Sequence, residues 1–158
     1  MKVIPLNQGK YAIVDDIDYE RVSALKWYVN QSGRDKTWYA ITNTGRFRMH
    51  RFILCLTDPK IEVDHIDGDG LNNTRNNLRI ATRTQNLANQ QKRENTSSKF
   101  KGVSLDRRRN KWQSNIRMNG KRKWLGQFNN ELDAAKCYNV AAIEFFGDFA
   151  KLNPVSEE

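Results

Sequence analysis

The chain has 158 residues, enough for one ordinary domain or two small ones, and carries 27 Lys and Arg against 18 Asp and Glu, a formal charge of +9. No apolar run reaches the length of about eighteen residues that a membrane helix needs, and the N-terminus lacks a basic and apolar leader, so the expectation is a cytoplasmic protein with no membrane partner. Two widely spaced cysteines, Cys55 and Cys137, exclude a disulfide framework and read as small core fillers in a reducing compartment.

In chain order, residues 2 to 14 predict two short strands, Lys2 to Leu6 and Tyr11 to Val14, joined at Asn7-Gln8-Gly9-Lys10. Asp15-Asp16-Ile17-Asp18 offers N-cap chemistry for a helix near Tyr19 to Leu25, with Ile17, Val22 and Leu25 along one side. Trp27-Tyr28, Trp38 to Ile41 and Phe47 to Met49 read as strands of a small sheet, separated by turns at Ser32-Gly33 and Thr44-Gly45. Their aromatics alternate with polar residues at strand spacing, which marks them as core. His50 opens an apolar run, and Arg51 to Leu56 predicts a short helix that stops before Asp58-Pro59.

Val63-Asp64-His65-Ile66-Asp67-Gly68-Asp69-Gly70 is the stretch most suited to chemistry, because an acid and an imidazole sit together before a glycine-broken turn. Of the two histidines, only His65 has carboxylates beside it. A calcium loop of the EF-hand kind is excluded, since counting from Asp67 puts Asn72 where glycine is required and Leu78 where glutamate is required. A structural zinc site is not expected, because no Cys-x-x-Cys occurs. What remains is a hard divalent cation of the magnesium or manganese kind, held by few oxygens. Asp67 and Asp69 read as turn residues, and Asn72, Asn73 and Asn76 as loop formers.

Downstream, Thr82 to about Arg93 lacks glycine and proline and predicts a polar helix carrying Asn86, with Leu87 and Ala88 its clear apolar residues. Glu94-Asn95-Thr96-Ser97-Ser98 has linker composition. Residues 79 to 123 hold fourteen Lys or Arg and only two acids, Glu94 and Asp106, a local excess of twelve positive charges that points to a polyanionic partner. Three antiparallel strands follow, at Lys101-Gly102-Val103, Trp112 to Met118 and Arg122 to Phe128, the last two joined by the hairpin signal Asn119-Gly120. Period two places Trp112, Ser114 and Ile116 on one face of the middle strand and Gln113, Asn115 and Arg117 on the other. Asn130 and Asp133 resemble a capping box, opening a helix whose apolar stripe is Ala134, Ala135, Tyr138, Ala141, Ala142 and Phe145, ending near Gly147.

Asp64-His65, Asn77 thirteen residues after Asp64 and Thr82-x-x-Gln85-Asn86 nine residues further on resemble the core of the HNH nucleases, also called the ββα-metal or His-Me finger family. The resemblance implies a β-hairpin carrying Asp64 and His65 packed on a helix carrying Asn86, with one Mg2+ or Mn2+ held by Asp64 and Asn86. It also implies that His65 is the general base and that Asn77 orients its ring. Met49-His50-Arg51 is similar to the N-terminal layout of phage HNH proteins, which assigns Arg51 to a DNA phosphate and leaves His50 structural. Phe100-Lys101-Gly102-Val103, Trp112, Ile116-Arg117, Trp124-Leu125-Gly126-x-Phe128, Ala134-Ala135, Tyr138-Asn139 and Leu152-Asn153 resemble the plant ethylene-response-factor (APETALA-type) domain. That resemblance implies a sheet laid in the major groove of double-stranded DNA, with Lys101, Asn115, Arg117, Arg122 and Trp124 at contact positions. Arg107-Arg108-Arg109 replaces plant arginines that are out of register here, so the target sequence is not inherited.

The expected fold is therefore α+β: a β-rich module with a ββα-metal core over residues 1–93, a linker at 94–98, a three-stranded antiparallel sheet on one helix over 99–153, and a tail at 154–158. The expected function is metal-dependent hydrolysis of DNA by a homing-type endonuclease. A catalytically inactive, sequence-specific DNA-binding regulator is the principal alternative, and an RNA-directed nuclease or toxin a weaker one.

Overall fold

The computed structural model describes residues 1–32, 37–43, 47–92, 94 and 96–155. The expected turns at Gly33 and Thr44-Gly45, together with Arg93, Asn95 and the tail from Ser156, lie outside the described residues. The fold is mixed α and β, as expected, and packing divides the chain into two compact units, Met1–Thr82 and Arg83–Glu158. The division falls ahead of the linker-like composition at 94–98, and the helix after Thr82 belongs to the second unit.

In the first unit, β1 (Lys2–Pro5) and β2 (Tyr11–Val14) form an antiparallel hairpin through Gln8 and Gly9, both at positive φ. Helix α1 (Asp16–Ser23) follows, but not with the expected face: Ile17 is 81% exposed, while Asp18 and Val22 are buried. Asp18 tolerates burial because two guanidinium groups neutralise it, Arg75 at 2.7 and 2.8 Å and Arg21 at 3.0 Å. Strands β3 (Trp27–Gln31) and β4 (Trp38–Thr42) pair antiparallel. The expected strand at Phe47 to Met49 is reduced to one bridge from Arg48 to Ile41, because α2 (Met49–Ile53) begins at Met49, two residues earlier than the helix expected from Arg51. β5 (Glu62–His65) and β6 (Leu78–Ala81) make a third hairpin, spanned by a loop that ends in a 3-10 turn at Arg75–Asn77. Ile4, Val14, Val22, Trp27, Met49 and Ile53 are central to one apolar core beneath these hairpins.

The second unit starts with α3 (Arg83–Asn89), shorter than the helix expected to reach Arg93. Its sheet runs β7 (Val103–Asp106), β8 (Lys111–Met118) and β9 (Lys121–Phe128) in that order, all antiparallel. The first strand therefore lies after Lys101-Gly102 rather than on them. Asn119 and Gly120 both have positive φ, as a tight two-residue hairpin requires. A bulge between Ser114 and Asn115 shifts the register, so Asn115 pairs with Trp124 and Arg117 with Arg122. Helix α4 (Glu131–Phe146) is capped by the Asn130 side chain, which accepts from Asp133 N at 2.7 Å. It buries Ala134, Ala135, Tyr138, Ala141 and Ala142 as expected, but its last buried aromatic is Phe146 rather than Phe145.

Candidate active site

The β5–β6 hairpin sets Asp64 opposite Arg79 and His65 opposite Leu78. Successive strand side chains face opposite ways, yet Asp64 and His65 are both buried, so both sides of β5 are covered at this end. On the Asp64 side, Arg79 Nε donates to Oδ2 at 2.9 Å and Nη2 lies 2.8 Å from the same oxygen as an ion pair. This charge-assisted pair makes a buried carboxylate affordable without a strand neighbour of its own sign.

On the His65 side lie two rings and an amide. His50 approaches edge-on, with centroids 5.0 Å apart, and Tyr39 sits 5.9 Å from His65 and 5.8 Å from His50. Asn73, fully buried, places Oδ1 3.5 Å from His65 Nε2. Its Nδ2 donates to Leu71 O at 3.0 Å, and that bond turns Oδ1 toward the imidazole. When Nε2 carries the proton toward Asn73, Nδ1 keeps the lone pair a base needs. Burial lowers the pKa of His65, opposed by Asn73 and by the carboxylates of Asp67, Asp64 and Asp69. His50 is pushed down to about 3, first by burial and then by His65, Arg48 and Arg51. Both rings are therefore neutral at neutral pH. His65 is only 6% exposed, so the ring is less open to solvent than a water-activating imidazole was expected to be. A base needs one lone pair at the surface rather than an open ring.

The loop between the strands is fixed by its own amides and acids. Asp67 Oδ1 accepts from Asp69 N at 2.8 Å and Asp69 Oδ1 accepts from Leu71 N at 2.9 Å, so these acids close the turn as their sequence suggested. Burial alone would raise the pKa of Asp67, but Asp69 N–H and the amides of Asn72 and Asn77 outweigh it and hold the group low. Gly70 is buried where a Cβ would lie 2.4 Å from Trp38 O and 2.7 Å from the Tyr39 ring, so only glycine lets the loop pass under β4. Asn77, expected to orient the imidazole, instead directs its amide at the turn. Its Nδ2 donates to Asp67 Oδ1 and Asn72 O at 2.9 and 2.8 Å, and its Oδ1 accepts from Asp67 N at 3.0 Å. Asn73, read from sequence as a loop former, holds the place beside the ring. Nothing in a run of four asparagines within six residues distinguishes them, because their roles depend on the path of the loop.

Asn86 lies on α3, half-buried, in the second unit, whereas Asp64 is in the first. Their oxygens, one carboxylate and one carboxamide, are hard donors that suit Mg2+ or Mn2+ and suit zinc poorly. Among the described residues no group of three or more His, Cys, Asp or Glu side chains is arranged to hold a metal. Arg51, expected on a phosphate, donates to the main-chain carbonyls of Ile61 and Asp58, tying α2 to the segment that leads into β5.

The residues expected to contact DNA separate into two groups. Arg117, Arg122 and Trp124 are exposed, Trp124 at 62%, and the Asn115–Trp124 and Arg117–Arg122 pairings put them with Asn115 on the sheet face opposite α4. Arg107, Arg108 and Arg109 are exposed on the β7–β8 turn, with Arg109 3.6 Å from Asp106. Asn115 differs, because its Nδ2 is buried without a partner among the described residues. Lys101 also differs: its amine donates to Ala88 O and Gln90 O, and burial, aided by Lys151, lowers its pKa to about 8. No helix among the described residues is long and apolar enough to cross a membrane.

Residues 57–88, which contain the hairpin, its loop and most of α3, match the HNH endonuclease family. Over 153 residues the chain is 36% identical to an uncharacterised HNH endonuclease of Acanthamoeba polyphaga mimivirus, covering 94% of this chain and 77% of that one. Over 57 residues it is 42% identical to APETALA2-like protein 2 of Oryza sativa, which is 36% of this chain and 13% of the plant protein. An AP2-like ethylene-responsive transcription factor of Arabidopsis thaliana is 40% identical over 57 residues, 12% of its length. No solved structure matches the chain. The neutral His65 on its hairpin thus falls within a segment that carries the family signature, and the similarity extends over nearly the whole chain: it belongs to the HNH endonuclease family and is a nuclease.

Proposed function

We propose that the chain is a divalent-metal-dependent endonuclease of homing type that hydrolyses double-stranded DNA, with the second unit acting as an ethylene-response-factor-like DNA-binding domain. The observation that carries this reading is His65: a buried, neutral imidazole with Asn73 at Nε2, in the segment that matches the HNH family. His65 takes a proton from water at Nδ1, and the resulting hydroxide attacks phosphorus. Displacement of the 3′-oxygen, which takes its proton from solvent water, leaves a 5′-phosphate and a 3′-hydroxyl. Asn73 orients the ring, and Asn77 acts on the turn that carries the ring's neighbours. Asp64 and Asn86 are the residues that would hold one Mg2+ or Mn2+, which when bound stabilises negative charge on the phosphate and the leaving oxygen. Arg79 holds the Asp64 carboxylate in one orientation through Oδ2. On the second unit, Trp124, Arg117 and Arg122 form an exposed aromatic and cationic face suited to base edges, and Arg107 to Arg109 a cluster suited to phosphates.

The test is nicking of supercoiled plasmid in Mg2+, Mn2+ and EDTA by the wild type and by His65→Ala, with single-stranded DNA and RNA run alongside. General-base loss lowers the rate by about 10²- to 10⁴-fold while plasmid binding stays. Undiminished nicking by His65→Ala removes the residue from the mechanism. Tight binding by the wild type without scission returns the chain to a DNA-binding regulator.

A further inference from the structure

Helix α3 cannot hold itself together. It has seven residues, where isolated helices need about 12 to 15, and it lacks an apolar stripe, with Ala88 its one buried apolar side chain. What holds it comes from the second unit. Ala88 packs in an apolar cluster with Ile116, Tyr138, Ala141 and Phe146. Thr84 Oγ1 donates to Asn119 Oδ1 at 3.1 Å, and Lys151 N donates to Ala88 O at 3.3 Å. Lys101 Nζ donates to Ala88 O and to Gln90 O, the latter at 2.6 Å, and so bonds carbonyls at and just beyond the C-terminal end of the helix. These anchors lie on both sides of Asn86 in sequence.

The seat is also incomplete. A cavity of about 470 Å³ opens between α3 with the segment after it and the edge of β8, lined among others by Leu87, Gln91, Lys101, Asn115 and Tyr138. The helix is therefore held at discrete points rather than by continuous packing, and Lys101 is the charged one. Its mount is rigid. Lys101 N donates to Asn153 Oδ1 at 2.6 Å and Asn153 Nδ2 donates back to Lys101 O at 3.1 Å. At the neighbouring Gly102 a Cβ would lie 2.0 Å from the Tyr138 ring and 2.6 Å from Asn115 O, so the backbone there is pressed against α4 and β8.

We infer that Lys101 is a positioning residue of the nuclease, pinning α3 to the second unit and thereby holding Asn86 in place, rather than a DNA contact. The inference rests on the reading of Asn86 as a metal ligand. It makes the DNA-binding unit a structural part of the catalytic machinery, so that the sheet and the cleavage chemistry are coupled through one amine and two carbonyls.

The experiment uses the full chain with Lys101→Met, which keeps the stem and removes the donors, Lys101→Arg, which restores two donors, and Asn119→Ala, which removes the partner of Thr84. Each is read by amide hydrogen exchange of residues 83–89 without metal, by Mn2+ binding followed in electron paramagnetic resonance, by nicking against Mn2+ concentration at saturating DNA, and by DNA affinity against salt. Lys101→Met is expected to speed exchange across α3, to weaken Mn2+ binding and raise the half-saturating Mn2+ about tenfold, and to leave DNA affinity within about twofold. Lys101→Arg recovers most of this, and Asn119→Ala shifts the same readouts by a smaller factor. Weaker DNA binding, a salt slope reduced by about one and unchanged Mn2+ dependence would make Lys101 a phosphate contact and overturn the inference. If Lys101→Met does not fold, unchanged α3 exchange in Asn119→Ala overturns it instead. Asn86→Ala separates the two readings: wild-type Mn2+ binding by that variant removes the metal-ligand role, whereas its loss together with unaltered α3 exchange and Mn2+ binding in Lys101→Met removes only the anchoring role.

Discussion

The β5–β6 hairpin of the first unit and the β8–β9 face of the second are both short antiparallel pairings rich in polar side chains, and they treat those side chains in opposite ways. Around His65 the polar groups are buried and bonded to one another: Asp64 to Arg79, Asn73 to Leu71, Asn77 to Asp67. On the other sheet Arg117, Arg122 and Trp124 stand exposed. Burial holds the imidazole neutral and its partners in one geometry, which proton transfer requires. Exposure leaves charges free to meet a polyanion, whose attraction acts over about 8 Å at physiological salt and demands little orientation. The difference predicts that substitutions in the first region act on stability and rate, and those in the second on affinity.

The largest way to break that contrast is acid. The folded-state pKa of His50 lies far below its ordinary 6.5, at about 3, so the unfolded chain binds the extra proton and stability is lost as pH falls from about 6.5 toward 3. At roughly 1.4 kcal/mol per unit the loss approaches about 5 kcal/mol. The lowered carboxyls of Asp18 and Asp67 add to it with the same sign below about pH 4, because their contribution is present above the ordinary carboxylate range and disappears as they protonate. Hydrogen exchange at pH 4.5 is expected to report opening of the first unit before the second, and equal protection in both would show that burial of the histidines is not what separates them.

Gly70→Ala comes next, at about 3 kcal/mol, since its methyl group meets Trp38 O and the Tyr39 ring with no flexible end to yield. Gly120→Ala on the second sheet meets nothing within 4 Å, and its expected loss of about 1 kcal/mol arises from positive φ alone. Thermal melts of the two variants measure the gap. The asparagine pair then sharpens the site itself. Asn77→Ala is expected to remove about 2 kcal/mol of stability through the turn. Asn73→Ala is expected to lower the nicking rate and move the acid limb of its pH profile to lower pH, because the Asn73 contact raises the pKa of His65. The reverse assignment of those two phenotypes would return the orienting role to Asn77. Smallest are Trp124→Ala, Arg117→Ala and Arg122→Ala, each expected to weaken DNA binding by about 1 to 2 kcal/mol in filter binding at fixed salt, with turnover at saturating DNA unchanged.

Much of this was legible in the chain. Alternation located β1 to β4 and β8, the Asn119-Gly120 pair fixed the last hairpin, and Asn130 with the alanine stripe of α4 set a helix to within a residue. These are local signals, carried by backbone preference and by a period of 2 or 3.6. Asp64 and His65 stood out because acid and imidazole are rare neighbours beside a glycine-broken turn. Other side chains have surroundings that only a distant partner decided. Asp18 was read as a cap and is a buried anion, since Arg75 comes back to meet it from 57 residues away. Lys101 read as a cation for DNA, and its amine is bonded to Ala88 O and Gln90 O.

Sequence alone therefore determined the types of element, the α+β plan and the Asp64-His65 pair on which the proposed chemistry rests, because each is written in residues next to one another. Tertiary structure decided which asparagine faces the ring, which acids and lysines are consumed internally, and to which unit the helix of Asn86 belongs. Those choices depend on desolvation and on hydrogen bonds between groups far apart in the chain, and such energies exist only once the chain has closed on itself.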